Sequence, residues 1–394
     1  MARLARPPGR WDDYVLFCAG KWWDGNRGAE HNLVDNLVEH VPVVWVDPPL
    51  SLLSPRRFPE LARSLEGPRF RLIRPNLAHL TPVVPPGMRR PGMVALTELL
   101  VRRLIRRAIN KLGHEPNTHV LALDLDLFDL DRPAKRVLYA TDDFTAGAGS
   151  RGVSENQSRR NEERIAEKVD LVVAISPELV ETWRRVGCRA ELVPNGCEAR
   201  RLATVDAAPE PDDVDLSRPI VGFVGHITER IDLGLVEAVA DRGLSVLLVG
   251  PHQITFDPAR LEPLLARPNV VWVGSKTSAE LPSYLRMMDV GITPYADSEF
   301  NRASMPLKTL EYLAAGRPAV STDLPSARWL DTDLIFLASG PGEFADATER
   351  AIAGAHDVDL VARRRAFAAG HDWSKRAEQF AAVLRDLTDP APSS

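Results

Sequence analysis

Short apolar runs of strand length alternate with helical stretches along most of the chain, and that alternation admits few folds. In the first half Tyr14–Ala19, Val43–Val46, His119–Leu123, Arg136–Ala140 and Leu171–Ile175 read as strands. In the second half Ile220–Val224, Ser245–Val249, Val270–Val273, Val290–Thr293 and Ala319–Ser321 continue the series. Runs that stay apolar instead of alternating belong to strands covered on both faces, and helices between successive strands make those strands parallel. A chain of 394 residues is too long for one typical core. The Pro/Asp-rich stretch Ala207–Asp213 separates the two series. The expected fold is α/β, with two Rossmann-like, doubly wound domains, residues 1–205 and 206–372, followed by residues 373–394.

Composition removes several classes of function. With 44% hydrophobic and 26% charged residues the chain is globular, and a net charge near −5 argues against a general nucleic-acid binder. Cys18, Cys188 and Cys197 lack metal-ligand spacing and cannot all pair, which suits a reducing cytosol. No apolar run approaches the length of a membrane span, and no signal-peptide centre follows Arg3 and Arg6. The expected location is cytoplasmic.

The stretch Ser304-Met305-Pro306-Leu307-Lys308-Thr309-Leu310-Glu311-Tyr312-Leu313-Ala314-Ala315-Gly316-Arg317-Pro318 reads as a turn, a helix start and a Gly-Arg-Pro stop before a strand. Unpaired N–H groups and a partial positive charge at a helix start suit a diphosphate. Glu311 stands four residues past Leu307, about 6 Å further along the axis at about 1.5 Å per residue. From there a carboxylate can grip ribose hydroxyls. A capped surface helix with a solvated glutamate fits the spacing equally well.

This segment resembles the donor-site motif of retaining glycosyltransferases of the GT-B fold, in which two glutamates separated by seven residues bracket the nucleotide-sugar. Glu311 matches the second, and Ala303 stands where the first would be. The Pro-Leu-Lys before the Glu-Tyr-Leu-Ala-Ala-Gly run is similar to a group 1, family 4-like branch that builds bacterial cell-surface polysaccharide. Asp170–Pro177 with Leu192–Gly196 resembles the end of the acceptor domain in these enzymes, and Val221–Gly225 the opening of the donor domain. His371-Asp372-Trp373 and the helix after it resemble the terminal segment that returns to the first domain. The resemblance implies two domains facing a cleft, a nucleotide-sugar donor, a glycan, lipid-linked or small-molecule acceptor, and transfer with retention and without a metal or other cofactor.

It also places residues. The loop Gly225-His226-Ile227-Thr228-Glu229-Arg230 stands where the family carries cations for the departing diphosphate. Arg230 is the better candidate, since guanidinium is always charged and offers paired donors, while His226 is only partly charged near neutrality. Ser304, Pro306, Leu307 and Lys308 supply the helix tip. In the first domain Asp142 and Asp143 follow a strand directly, where the family carries a His or Asp facing sugar and acceptor. A carboxylate there can orient the acceptor hydroxyl or take its proton, or simply cap the next helix. Gly20, with Gly25 and Gly28, permits close backbone approach, and Trp23 and Asp24 are placed on the sugar side. Finally, Arg102, Arg103, Arg106 and Arg107, with Lys111, face away from Leu96, Leu100, Val101, Leu104, Ile105 and Ala108 on a projected helix. Such a basic face suits an anionic membrane surface, or an ordinary scaffold helix. A nucleotide-sugar epimerase of the same fold and a non-catalytic nucleotide-sugar-binding protein are the alternative functions.

Overall fold

The structure is a computed structural model that describes residues 11–56, 58–87, 92–130, 134–143, 154–253, 256–305 and 307–388. It divides into two compact units, residues 1–194 with 376–394 and residues 195–375. Each is built on one sheet with helices between its strands.

In the first unit the strands are β1 (Val15–Cys18), β2 (Val43–Val46), β3 (Phe70–Arg74), β4 (Leu77–Leu80), β5 (Thr118–Leu121), β6 (Lys135–Ala140), β7 (Leu171–Ala174) and β8 (Ala190–Leu192). Their order is β3-β4-β2-β1-β5-β6-β7-β8, all parallel except β3, which runs antiparallel to β4. The chain winds outward from β1 to one side, then resumes at β5 on the other. Between β1 and β5 lies the topological switch point, where open α/β sheets gather their ligands at the carboxyl ends of the strands. The residues of β1, β2 and β7 are all buried, which is why these runs carry no polar alternation. Phe17 stacks on Trp45 with ring centroids 5.6 Å apart, and Tyr139 meets Phe380 of the C-terminal helix edge-on at 5.4 Å. That helix, Trp373–Thr388, starts in the second unit and joins the first from Arg376.

The second unit holds β9 (Ile220–Val224), β10 (Ser245–Val249), β11 (Val270–Trp272), β12 (Val290–Thr293), β13 (Ala319–Thr322) and β14 (Ile335–Ala338). Their order is β11-β10-β9-β12-β13-β14, parallel throughout. Here the switch point lies between β9 and β12. The change of unit falls at Pro194/Asn195, earlier than the composition change at 207–213 on which the expected boundary at 205/206 rests. Local bonds explain the difference. Cys197 N–H donates to the His371 carbonyl at 3.0 Å, Ala199 N–H to Asp372 Oδ2 at 3.0 Å, and Asp206 receives Arg317 and Arg365.

Candidate functional site

The Ser304–Pro318 stretch folds as a short helix, Leu307–Ala314, lying between strand and loop as its sequence indicates. It ends as a Schellman turn, in which Gly316 at φ +79° donates to the Leu313 carbonyl and Arg317 N–H to the Tyr312 carbonyl. Tyr312 fixes the helix to the sheet. Its hydroxyl accepts from Val224 N–H at 2.9 Å and donates to the Ile292 carbonyl at 3.3 Å, bridging the ends of β9 and β12. Its ring lies on Gly291, where an added Cβ would come within 2.1 Å of it. Glu311 is the next residue back and is held in place by this anchor. Lys308 Nζ donates to Glu311 Oε2 at 2.6 Å, both side chains being about one-fifth exposed. Burial opposes charge on Lys308, but the attraction and hydrogen bond of Glu311 outweigh it, so its pKa lies above the ordinary lysine value.

Arg230 reaches the same neighbourhood from the loop after β9. Asp232 N–H donates to the Pro294 carbonyl and Ala296 N–H to the Arg230 carbonyl, so the loops leaving β9 and β12 are stitched together at the switch point. The Arg230 guanidinium lies over the rings of Phe300 and Tyr295, 4.7 and 5.4 Å from their centroids, and its Nε donates to Asn301 Oδ1 at 2.9 Å. Asn301 returns its amide to the carbonyls of Arg230 and Ala296, each at 2.9 Å. Arg230 and Ser304 share the lining of a void of about 10 Å³, room for about one water. Ser304 itself is buried and donates to the Phe300 carbonyl at 2.9 Å.

Tyr295 ties these groups together. Burial raises the pKa of its phenol, with the positive charges of Arg230 and Lys308 opposing and the carboxylate of Glu311 adding to the rise. The sequence reading passed over Tyr295 and Asn301. Their signal was position alone, in the loop just past a strand next to the switch point. His226 is exposed at the rim. Gly225 donates to the Val249 carbonyl at 2.9 Å, and a Cβ on Gly250 would come within 2.0 Å of the Gly225 carbonyl oxygen, so position 250 is glycine by necessity. Ala303 is buried, Leu307 is half-buried, and Pro306 lies outside the described residues.

In the first unit the glycine loop after β1 closes on a residue that the sequence reading did not select. Glu30, in the first turn of the helix Ala29–Leu37, is 5% exposed. Its Oε2 accepts from Gly20 N–H at 2.8 Å and Lys21 N–H at 3.3 Å. A Cβ on Gly20 would meet the Ala122 carbonyl oxygen at 2.6 Å and Glu30 Oε1 at 3.0 Å, so Gly20 is where β1, β5 and this helix converge. Burial raises the Glu30 pKa to about 7. Lys21 and the two backbone bonds oppose that rise, and the charge of Asp142 adds to it. The same two carboxylates raise the buried Tyr139 phenol, after burial itself. Asp142, at the end of β6, therefore shares the switch point with Glu30, and Asp143 follows it half-buried. An acidic residue in a first helical turn behind a Gly-rich loop was the available clue to Glu30.

Because the Glu30 pKa is raised, the native state holds a proton there that the unfolded chain releases near pH 4.5. The associated stability is complete below that value and is lost as pH rises through about 7. A shift from 4.5 to about 7 corresponds to on the order of 3 kcal/mol. Glu30→Gln is expected to flatten this dependence and to be more stable than the parent at pH 8. Denaturant unfolding at pH 5 and pH 8 checks this, and parallel pH dependences for the two proteins would contradict it.

Trp23 and Asp24 serve the loop's own architecture. Trp23 N–H donates to Asp47 Oδ1 at 2.8 Å, and its ring packs among His31, Trp45 and His79. Asp24 receives both Arg71 Nη2, at 2.8 Å, and Ser64 Oγ, at 3.2 Å. His31 accepts from Gly28 N–H at 3.2 Å, and its Nε2 lies 3.2 Å from the Trp22 carbonyl. Burial and then Arg27 lower its pKa to about 4.

The basic helix Met93–Leu112 corrects one expectation. Arg102 does not belong to an outward cationic face. Its Nη2 donates to the Asp126 carbonyl at 3.0 Å and lies 3.4 Å from Glu98 Oε2, and Glu98 and Asp126 are both buried carboxylates. Arg164 and Lys168 complete that network. Burying two carboxylates requires such partners. Leu96, expected on the apolar side, is 41% exposed with Leu99 at 43%, and the two share a helical stripe with exposed Arg103 and Arg107. Among the described residues no helix is long and apolar enough to cross a membrane.

Known proteins resemble this chain in the second unit and in the overall fold. The family described as "Glycosyl transferases group 1" matches residues 218–353, from the start of β9 through the helix after β14. Residues 218–353 are thus similar to a group 1 glycosyl transferase domain. The putative teichuronic acid biosynthesis glycosyltransferase TuaH of Bacillus subtilis is 32% identical over 192 residues, a match covering 47% of this chain and 48% of the relative. The chain thus spans about half the length of that curated relative. Across the whole chain the fold is shared with sucrose-phosphate synthase of Thermosynechococcus elongatus, at TM-score 0.71 and 15% identity over 96% of this chain and 100% of that one. An E. coli trehalose-6-phosphate protein bound with UDP-2-fluoro glucose gives 0.67 and 14% over 96% and 100%. Anabaena HepE, in complex with UDP and glucose, gives 0.64 and 15% over 94% and 98%. These likenesses establish the fold as GT-B, two Rossmann-like domains. The matched residues include Gly225, Arg230, Tyr295 and Glu311, the groups at the second switch point.

Proposed function

We propose that the protein is a retaining glycosyltransferase moving a sugar from a nucleotide-sugar to a glycan, lipid-linked or small-molecule acceptor. The observation that carries this reading is the gathering of Arg230, Lys308 and Glu311 about Tyr295 at the carboxyl end of the sheet in a group 1 domain. The diphosphate meets the N–H groups of the helix Leu307–Ala314 with Lys308, and Arg230 adds charge beside Ser304. Glu311 takes the ribose once Lys308 turns toward phosphate. Stabilising the departing oxyanion with fixed cations and N–H groups needs no metal. In the reaction the bond from anomeric carbon to phosphate oxygen breaks, and the diphosphate leaves with the electron pair. The acceptor oxygen bonds to that carbon, and its proton passes to Asp142 or Asp143. The relative's polysaccharide role and the UDP-glucose-type ligands of the structural neighbours support a glycan product and a nucleotide-sugar donor.

Incubation with a panel of nucleotide-sugars tests the class. Acceptor-stimulated release of nucleoside diphosphate, unchanged by EDTA, is expected. Altered sugar without release would indicate epimerisation, binding alone a non-catalytic protein, and activity lost in EDTA but restored by magnesium would overturn the metal-independent mechanism.

A cytoplasmic protein docking peripherally on anionic lipid is the accompanying proposal, resting on the Leu96–Leu99–Arg103–Arg107 stripe. Each basic residue near such a surface contributes about 1 kcal/mol and is screened by salt. Co-sedimentation with anionic vesicles at low ionic strength, abolished by Arg103→Glu with Arg107→Glu, is the expected result. Pelleting unaffected by those reversals would remove the stripe from the account.

A further inference from the structure

The opposite, amino-terminal edge of the second unit's sheet carries a charge cluster that nucleotide binding does not use. A cavity of about 400 Å³ opens there, lined by Asp206, Glu210, Arg218, Arg286, Arg317 and His356, with Val358 and Val361 at its side. Arg218 stands just before β9 and Arg317 just before β13, so the cavity sits at the other end of these strands from Gly225 and Tyr295.

Its arginines exceed their carboxylates. Arg317 and Arg365 share Asp206, Arg286 pairs with Glu210 at 3.1 Å, and Arg218 shares Asp289 with His356. Behind them Arg364 is 2% exposed and has no carboxylate partner among the described residues. It donates instead to the carbonyls of Gly354, Ala355 and Gly316 at 2.8, 3.1 and 3.2 Å. Burial lowers its pKa to about 10, with Asp357 opposing the shift and Arg317 and Arg363 adding to it. Among the described residues Arg317, 6% exposed, has an Nε–H with no acceptor, and so does Arg365. Buried donors normally have partners, and an unmet one is costly. Asp206 and Glu210, by contrast, are 53% and 60% exposed at their side chains, so each can turn into solvent and leave its arginine to a stronger acceptor. Guanidinium forks match the oxygens of a phosphoryl group in pairs.

We propose that this cavity binds a phosphate-class dianion, either free or carried on a small metabolite, through Arg218, Arg286 and Arg317, at a site distinct from the nucleotide's. Calorimetric titration of the full chain with inorganic phosphate, and separately with glucose 6-phosphate, tests it. At least one probe is expected to bind the parent, with equal affinities indicating free phosphate and a tighter sugar phosphate indicating a carried group. Arg218→Ala with Arg286→Ala is expected to weaken binding at least about tenfold, while Glu311→Ala leaves it unchanged. Should the double alanine variant fail to fold, Arg218→Lys with Arg286→Lys removes the paired donors and keeps the charge, and the same weakening is expected. Absence of binding to the parent by both probes would overturn the proposal. So would binding that survives the arginine substitutions, which would place the anion elsewhere, such as the tip of the helix Leu307–Ala314.

Discussion

Asp142→Asn is expected to slow sugar transfer by about 100- to 10 000-fold, the range that a positioned acid or base contributes, while nucleoside diphosphate affinity stays within about twofold. The substitution keeps the size and hydrogen-bonding oxygen of the side chain and removes its charge. That charge bears on the first switch point, where it helps to raise Glu30 and Tyr139. Two effects therefore accompany the change. In the proposed reaction the acceptor hydroxyl loses its proton acceptor, and the Glu30 pKa falls toward its ordinary value because a like charge that helps to raise it is gone. Steady-state rates with saturating donor, read beside the pH dependence of stability, separate the two. A transfer rate equal to the parent's would remove Asp142 from the chemistry. Asp143→Asn is the comparison, because adjacent residues seldom face the same way. Loss of rate in that variant alone would move the role by one residue.

Glu311→Ala is expected to cost about 1.5–3 kcal/mol of nucleotide affinity, on the order of 10- to 150-fold in Kd. In the structure Glu311 Oε2 is engaged by Lys308 at 2.6 Å. In the proposed complex, removing the carboxylate takes away a ribose acceptor and also releases a cation beside the diphosphate. The second effect partly offsets the first, so Lys308→Ala with Glu311→Ala is expected to bind more weakly than Glu311→Ala alone. Tyr312 continues to hold the helix on Gly291 in all three proteins, so comparable melting temperatures are expected.

Much of this was legible before any coordinates. The strands that are apolar throughout, such as Ile220–Val224 and Val43–Val46, were recognisable because burial on both faces leaves no alternation to confuse with a helix. The two margin strands of the first sheet were not. Phe70–Arg74 carries Arg71 and Arg74 in a run with no fully buried residue, and Ala190–Leu192 is only three residues long. Glu311 and Lys308 were readable because a helix start announces itself locally. Glu30 and Tyr295 matter through groups distant in sequence: Glu30 through Gly20, Ala122 and Asp142, Tyr295 through Arg230 and Lys308. Their roles come from strand order, which places β1 beside β5 and β9 beside β12, and no local pattern encodes that order. Arg102 shows the same limit from the other side. Helical projection put it with its basic neighbours, but the buried Glu98 and Asp126 claim it.

The central claim is that the carboxyl end of the second sheet binds a nucleoside diphosphate through Glu311 and the helix it belongs to. Calorimetric titration of the parent and Glu311→Ala with UDP, GDP and TDP tests it most directly. The account predicts saturable binding of at least one of these to the parent, and at least about tenfold weaker binding of the same nucleotide to the variant at matched thermal stability. Binding of none of the three, or equal affinities in parent and variant, would contradict it.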